Sequence, residues 1–227
     1  MSAGNSLRAH FPADFRPLAY FKDYLIQGYY PFYQEYQHTY PDRIRQIARA
    51  IVENDMAELK GFDIRHAKKM LQLLYVIAQQ VPFKPNINRL SDKTKLHRNT
   101  IINYLHFLDN ARLISLLFAY GYGTSTLQKP EKVYLQNTNL LYALSETPPD
   151  VGTVREVFFN NQLRTKHHVG YTAQTDLVVD RRYHFEVGGK NKGRKQIEGL
   201  TDAWVVKDDI EYPVGSSVPL WLFGFLY

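Results

Sequence analysis

Asp176 and Glu186 are the residues best suited to chemistry here, because Thr175 to Lys190 reads as a β-hairpin that sets their carboxylates side by side. With Asp180-Arg181-Arg182 as the loop, Val179 falls opposite Tyr183, Leu177 opposite Phe185 and Asp176 opposite Glu186. Directly opposed residues share a face with Cβ atoms about 4.5 to 5.5 Å apart, and like charges so placed repel. The pair therefore needs a cation, a shared proton or strong solvation. A divalent ion, Mg²⁺ or Mn²⁺, is the sharpest of these readings, and a solvated polar face is the plainest. Leu177, Val179, Tyr183, Phe185 and Val187 fall on the opposite face, the alternation of a sheet with one side against a core. His184 shares the carboxylate face, where a packing or surface role is simpler than a ligand role.

Basic residues surround this hairpin. Lys190, Lys192, Arg194 and Lys195 follow it, while Arg164, Lys166, Arg181 and Arg182 precede or cap it. Acidic residues inside a basic rim suit a site that takes a metal and a phosphodiester together, with Lys192, Arg194 and Lys195 on the phosphates. The formal net charge of +6 over 227 residues points the same way, toward polyanions such as DNA. A second basic segment, positions 84 to 112, carries Lys84, Arg89, Lys93, Lys95, Arg98 and Arg112. The absence of cysteine excludes disulfides, thiolate zinc sites and cysteine nucleophiles, and agrees with a reducing cytoplasmic setting. No run of 18 apolar residues exists to span a bilayer, and Met-Ser-Ala-Gly-Asn-Ser lacks the apolar core of a secretion signal, so a soluble cytoplasmic chain is expected. The eight histidines show no zinc-site spacing, and no Gly-x-Ser-x-Gly segment invites nucleophilic catalysis.

Three stretches position these residues. Residues 1–62 are rich in tyrosine and divided by Pro17, Pro31 and Pro41, with helical spacing at Leu18, Phe21, Leu25 and Ile26 and a helix over Asp42 to Leu59 that carries Ile44, Ile47, Ile51 and Met56 on one side. Aromatic residues at that spacing read as core before they read as base-stacking platforms. Residues 63–137 read as helices over His66 to Gln80, Ile87 to Lys95 and Arg98 to Ala111, then apolar segments Leu113 to Tyr120 and Lys132 to Leu135 joined by the Gly-rich run 121–130. That order is a winged helix-turn-helix, with Gly121 and Gly123 in the wing turn. Its third helix would present Asn99, Asn103 and His106 to base edges, with Lys95 and Arg98 on phosphates. Docking to another protein is the alternative use of the same module. Residues 138–227 read as helices Asn139 to Leu144, Gly152 to Lys166 and Gln196 to Ala203, the hairpin, and strands Trp204 to Asp209 and Pro219 to Phe225. A carboxylate helix before a carboxylate hairpin makes a small nuclease-type α/β domain and a mixed α/β chain overall.

The strings Arg98 to Ile114, Lys132 to Leu144, Val154-Arg-Glu-Val-Phe-Phe-Asn-Asn-Gln-Leu-Arg164 and Phe185-Glu-Val-Gly-Gly-Lys190 resemble the C-terminal region of prokaryotic AAA+ family ATPases. Those proteins join an ATPase module to a winged helix and a restriction-endonuclease-like domain of uncharacterised role. The resemblance covers nearly the whole chain, with the first sixty residues similar to the lid and linker that follow the ATPase core. No Gly-x-x-x-x-Gly-Lys-Ser/Thr segment is present, so no ATP site and no ATP hydrolysis are expected of this chain, which reads as a fragment or a truncated product. An AAA+ ATPase module in a full-length parent is the implied partner, and a homo-oligomer is compatible with these features without being specified by them.

The resemblance also implies a PD-(D/E)xK site: Glu156 as the helix carboxylate, Asp176 and Glu186 as metal ligands, and a lysine that stabilises charge. The lysine departs from the pattern. Two residues after Glu186 stands Gly188, and the nearest lysine, Lys190, lies on the same face about 13 Å along an extended strand. A bulge at Gly188-Gly189 is one way to shorten that gap. Three functions stay open: a degenerate nuclease-like domain used for DNA binding or assembly, an active Mg²⁺-dependent endonuclease, and a docking module without DNA contact.

Overall fold

The computed structural model describes residues 11–12, 14–58, 64–80, 84–119 and 129–226. The chain opens with helix α1 (Pro17–Asp23) and, after short turns, helix α2 (Tyr40–Glu53), each with a proline in its first turn, where its missing N–H costs nothing. In α2 the buried row is Tyr40, Ile44, Ala48 and Val52, a four-residue spacing that turns Ile47 outward to 41% exposure. Sequence periodicity places Ile47 inside. The buried row passes through Ala48, about 100° round the helix from Ile47, which leaves Ile47 at its edge, and the ion pairs Arg45–Asp42 and Arg49–Glu53 mark the exposed side. Ile26, also expected inside, is 48% exposed.

Helices α3 (Ala67–Ala78), α4 (Ile87–Thr94) and α5 (Arg98–Asn110) follow. Asn86 caps α4 by accepting from the Arg89 N–H, and Lys95 ends it in the left-handed region at φ 56°. Strands β1 (Ile114–Leu117) and β2 (Lys132–Leu135) pair antiparallel, with Leu117 opposite Lys132. Every residue of both strands is buried, including Ser115 and Lys132. The expected wing turn, with Gly121 and Gly123, lies outside the described residues.

Helix α6 (Thr138–Leu144) and helix α7 (Val151–Arg164) carry side-chain caps from Asn137 and Asp150. All seven positions from Val157 to Leu163 in α7 are buried, so it is a central strut rather than a surface helix. Phe159 packs on Phe185 with ring centroids 5.2 Å apart and on Phe223 at 4.6 Å, while Phe158 meets Phe21 of α1 at 4.8 Å. Asn160 donates to Ser115 across to β1. One continuous apolar cluster therefore joins all three stretches of the chain.

The main sheet runs β3 (Val169–Gly170), β4 (Leu177–Val179), β5 (Tyr183–Gly188), β6 (Ala203–Lys207), β7 (Ser217–Pro219) in that spatial order. The first three pair antiparallel and the last two join in parallel. The two sheets connect where Tyr171 N–H donates to the Phe118 carbonyl at 2.8 Å. The chain is thus mixed α/β, as its pattern indicates. Two elements differ from expectation. Gln196 to Ala203 holds only a 3-10 turn, Lys195–Ile197, because Glu198 is extended and Gly199 (φ 79°) and Asp202 (φ 50°) turn left-handed. Leu220–Phe225 is a 3-10 helix rather than a strand, which sends Trp221 toward Phe11 and Phe15 and Phe223 onto Phe159, a split that strand alternation does not give. No helix among the described residues is long and apolar enough to cross a membrane.

Candidate metal and phosphate site

The hairpin forms in the expected register, with Leu177 opposite Phe185, Val178 opposite His184 and Val179 opposite Tyr183. Asp180 (φ 49°) and Arg181 (φ 63°) make the turn in the left-handed region. Asp180 holds it by accepting from His168 N–H and pairing with His167 at 2.6 Å, contacts that keep its carboxyl below the usual range, the His167 hydrogen bond most of all.

Just past this ladder each carboxylate is stapled to the backbone of the opposite strand segment. Asp176 N–H donates to Glu186 Oε2 at 3.3 Å, and Asp176 Oδ2 accepts from Val187 N–H at 2.9 Å. One oxygen of each remains for other work. Asp176 Oδ1 lies 3.7 Å from Lys132 Nζ. Glu186 is 1% exposed, and its Oε1 is held by Lys192 Nζ at 2.5 Å as a buried ion pair. Burial pushes the Glu186 carboxyl above its ordinary range, Asp176 adds to that, and Lys192 opposes it.

Glu156, in the second turn of α7, completes the cluster through an intermediary. Its Oε2 accepts from Lys132 Nζ at 3.0 Å and from the Tyr134 hydroxyl at 2.7 Å. Lys132 and Tyr134 are two apart on β2 and therefore share a face. Burial first, then Glu156, holds the Tyr134 phenol well above its usual pKa, so it stays a donor. Lys132, 8% exposed, thus bridges the helix carboxylate and the hairpin. Its Nζ and that of Lys84 stand 6.0 and 5.7 Å from the ring of Tyr171.

Three carboxylates and two lysines leave one negative charge over when all are ionised. Among the described residues no three His, Asp or Glu side chains stand close enough together to hold a metal ion. Mg²⁺, however, is commonly held by one or two carboxylates with waters and substrate phosphate. Asp176 Oδ1 and Glu186 Oε1 fit that pattern as hard oxygen donors, each now facing a lysine ammonium in the place a cation would take. Glu156 belongs to the cluster by way of Lys132 and Tyr134.

The expected site lysine is placed differently. Lys190 is exposed and takes no part in the cluster's ion pairs, whereas Lys192, expected on phosphate, reaches Glu186. No bulge shortens the gap, because β5 pairs in unbroken register with β6 through Gly188 opposite Lys207. Arg194 and Lys195 are exposed and follow Lys192 in sequence. On α5 and its approach, Lys95, Arg98, Asn99 and Asn103 are exposed as expected. His106 is not: its ring stacks on Phe118 at 6.1 Å and its Nε2 is buried, so it does not reach outward. Lys132 and Tyr134 escaped sequence reading because Lys-Val-Tyr-Leu looks like an ordinary strand, although a lysine at a position flanked by core residues is itself a signal of a buried partner.

The family model described as a domain of unknown function (DUF8612) matches residues 18–151. A curated relative, Uncharacterized protein MJ1637 of Methanocaldococcus jannaschii, is 25% identical over 113 residues, 49% of this chain and 24% of the relative. The match thus takes in about a quarter of that relative's length. No solved structure matches.

Proposed function

Since the chain belongs to the DUF8612 family, a domain of unknown function, we propose its role from its own residues: a DNA-binding chain that carries a metal-dependent phosphodiester site of the PD-(D/E)xK kind. On this reading residues 63–137 are a winged helix, residues 138–227 a restriction-endonuclease-like domain, and the whole is similar to the C-terminal portion of an AAA+ ATPase-type protein. The observation that carries it is the meeting of Glu156, Asp176 and Glu186 with two lysines in one cluster. Asp176 and Glu186 would hold Mg²⁺ or Mn²⁺, which supplies charge neutralisation at the phosphate and an activated water. Lys192 supplies positive charge beside Glu186, Tyr134 fixes Glu156, and exposed Arg194 and Lys195 face an approaching backbone.

Labelled duplex, single-stranded and branched DNA should be cut with Mg²⁺ or Mn²⁺ by the wild type and at least ~100-fold more slowly by Glu186→Ala. Calorimetry should show Mn²⁺ binding that Asp176→Ala removes. Equal cutting by both proteins would refute the assignment. Binding of Mn²⁺ without cleavage would instead favour a second reading, a degenerate site kept for binding, which has its own support in Lys132: an ammonium already lies between Glu156 and Asp176.

DNA contact through α5 is tested separately. Replacing Arg98, Asn99 and Asn103 with alanine should weaken binding in low salt by ~10-fold or more and reduce the log-log salt slope by about one. An unchanged affinity and slope would assign that helix to protein docking.

A further inference from the structure

Lys192 reaches Glu186 by an unusual route. After β5 the chain turns over Gly189 to Lys192, closed by the Lys192 N–H donating to the Gly189 carbonyl at 2.9 Å, and the lysine stem lies back across the strand. A Cβ at Gly188 would stand 2.7 Å from Cβ, Cγ and Cδ of Lys192. A Cβ at Gly189 would stand 3.2 Å from the Arg155 guanidinium, which is anchored by Asp208 at 2.9 Å. Neither glycine is among those with positive φ, which are Gly199 and Gly215. Space, rather than backbone conformation, is what position 188 lacks.

On a strand, residue 188 projects to the same face as residue 186. A lysine stem at 188 would therefore start in the volume that the methylenes of Lys192 fill. We propose that Lys192 is the site lysine of this chain, delivered from the following turn into the place a lysine at 188 would occupy, with Gly188 as the gap it passes through. This deepens the phosphodiester-site reading and rests on it for the chemistry, while the placement stands on geometry alone. The ammonium sits 2.5 Å from the buried Glu186 carboxylate, so it is positioned to compensate charge there and at a phosphate brought to it.

The two positions should be interchangeable only together. Gly188→Lys alone overlaps the Lys192 stem and should lower the melting temperature. Lys192→Gly alone removes the ammonium, and the Glu186 carboxyl, followed by ¹³C NMR, should titrate at higher pH than in the wild type. In Gly188→Lys with Lys192→Gly, the overlap is gone and the ammonium returns, so the titration should move back toward the wild-type value and the melting temperature should exceed that of Gly188→Lys alone. Cleavage with Mn²⁺ should fall by ~100-fold in Lys192→Gly and recover at least ~10-fold in the paired variant. Additive melting effects and a Glu186 titration that ignores Lys192 would overturn the proposal. A wild type that does not cleave, with the titration and melting results as expected, would sink the hydrolytic reading and leave the placement of Lys192 established. Wild-type cleavage that survives Lys192→Gly undiminished would do the reverse to its chemical role.

Discussion

Lys132→Met is expected to lower the melting temperature without metal and to give much of it back when Mn²⁺ is added. The lysine is buried and pairs with Glu156 at 3.0 Å and Asp176 at 3.7 Å. Removing one partner of a buried ion pair typically costs about 3–5 kcal/mol, because the remaining charge stays desolvated. In a chain of this length that corresponds to a drop of roughly 10 °C. Methionine keeps most of the stem's packing, so the loss reports charge rather than a cavity. With the ammonium gone, the carboxylates beside it keep their repulsion and gain room for a cation. A ligand present at a hundred times its Kd stabilises the native state by about 2.7 kcal/mol, enough to recover a large part of the shift. Scanning calorimetry of wild type and variant with and without Mn²⁺ decides this. If Mn²⁺ moves neither transition, the cluster is a closed ionic lock with no cation site, and the phosphodiester reading loses its metal.

This variant also separates the two ways the cluster can be used. In a working site Lys132 orients Glu156 and must give ground to an arriving cation. In a site kept only for architecture it is the cation, and the variant simply unfolds more easily. The geometry contains both elements. Lys132 is locked by two carboxylates and is the first residue of β2, with its side chain 10% accessible, whereas Lys192 reaches in from an exposed turn with its side chain 29% accessible. The more accessible of the two lysines is the one held against the buried Glu186 carboxylate.

How much of this was legible in the chain depends on the range of the interaction. The hairpin was, since Leu177, Val179, Tyr183 and Phe185 alternate strictly and Asp180 suits a left-handed turn, and a slip of one residue would flip every side chain. The three helices of residues 67–110 were too, because their apolar periods and the Asn86 cap are local. What was not legible depends on distant partners. Lys132 lies 24 residues from Glu156 in sequence, and nothing in Lys-Val-Tyr-Leu reveals which element covers it. Lys192 is close in sequence to Glu186, but its role follows from a turn that folds the stem over Gly188, and spacing along an extended strand argues against any such contact. His106 sits at the right helical angle for a groove, yet Phe118, beyond the helix, captures its ring. The C-terminal aromatics look like a strand until α7 and the N-terminal aromatics claim them from two directions.

Asn139→Leu should be among the most destabilising single changes in the chain, although the residue touches no part of the ionic cluster. Asn139 is 1% exposed and holds the N-terminal stretch to α6 with all of its hydrogen-bonding groups. Its Oδ1 accepts from Tyr29 N–H at 2.8 Å and from the Tyr40 hydroxyl at 2.5 Å, and its Nδ2 donates to the carbonyls of Tyr24 at 3.1 Å and Leu25 at 2.9 Å. Burial also drives the Tyr40 phenol up to about 12, which keeps it a donor at any ordinary pH. Leucine has similar volume and no polar atom, so four partners lose a bond in a largely buried site. At about 1–3 kcal/mol for each group left buried without a partner, the loss should be ~4 kcal/mol or more, near 10 °C in melting temperature. Tyr40→Phe removes one donor to Asn139 and a longer acceptor contact to the Tyr30 N–H at 3.3 Å, while Asn139 keeps its other three bonds, so it should cost only ~1–2 kcal/mol. Urea unfolding of the two variants, read together with amide exchange of residues 17–53, measures the difference. A loss in Asn139→Leu no larger than in Tyr40→Phe would mean that the apolar contacts of Phe21, Leu25 and Ile44 hold the N-terminal stretch on their own. A large loss confined to exchange of residues 17–53, with the hairpin still protected, would make that stretch a separately released layer over the α/β core.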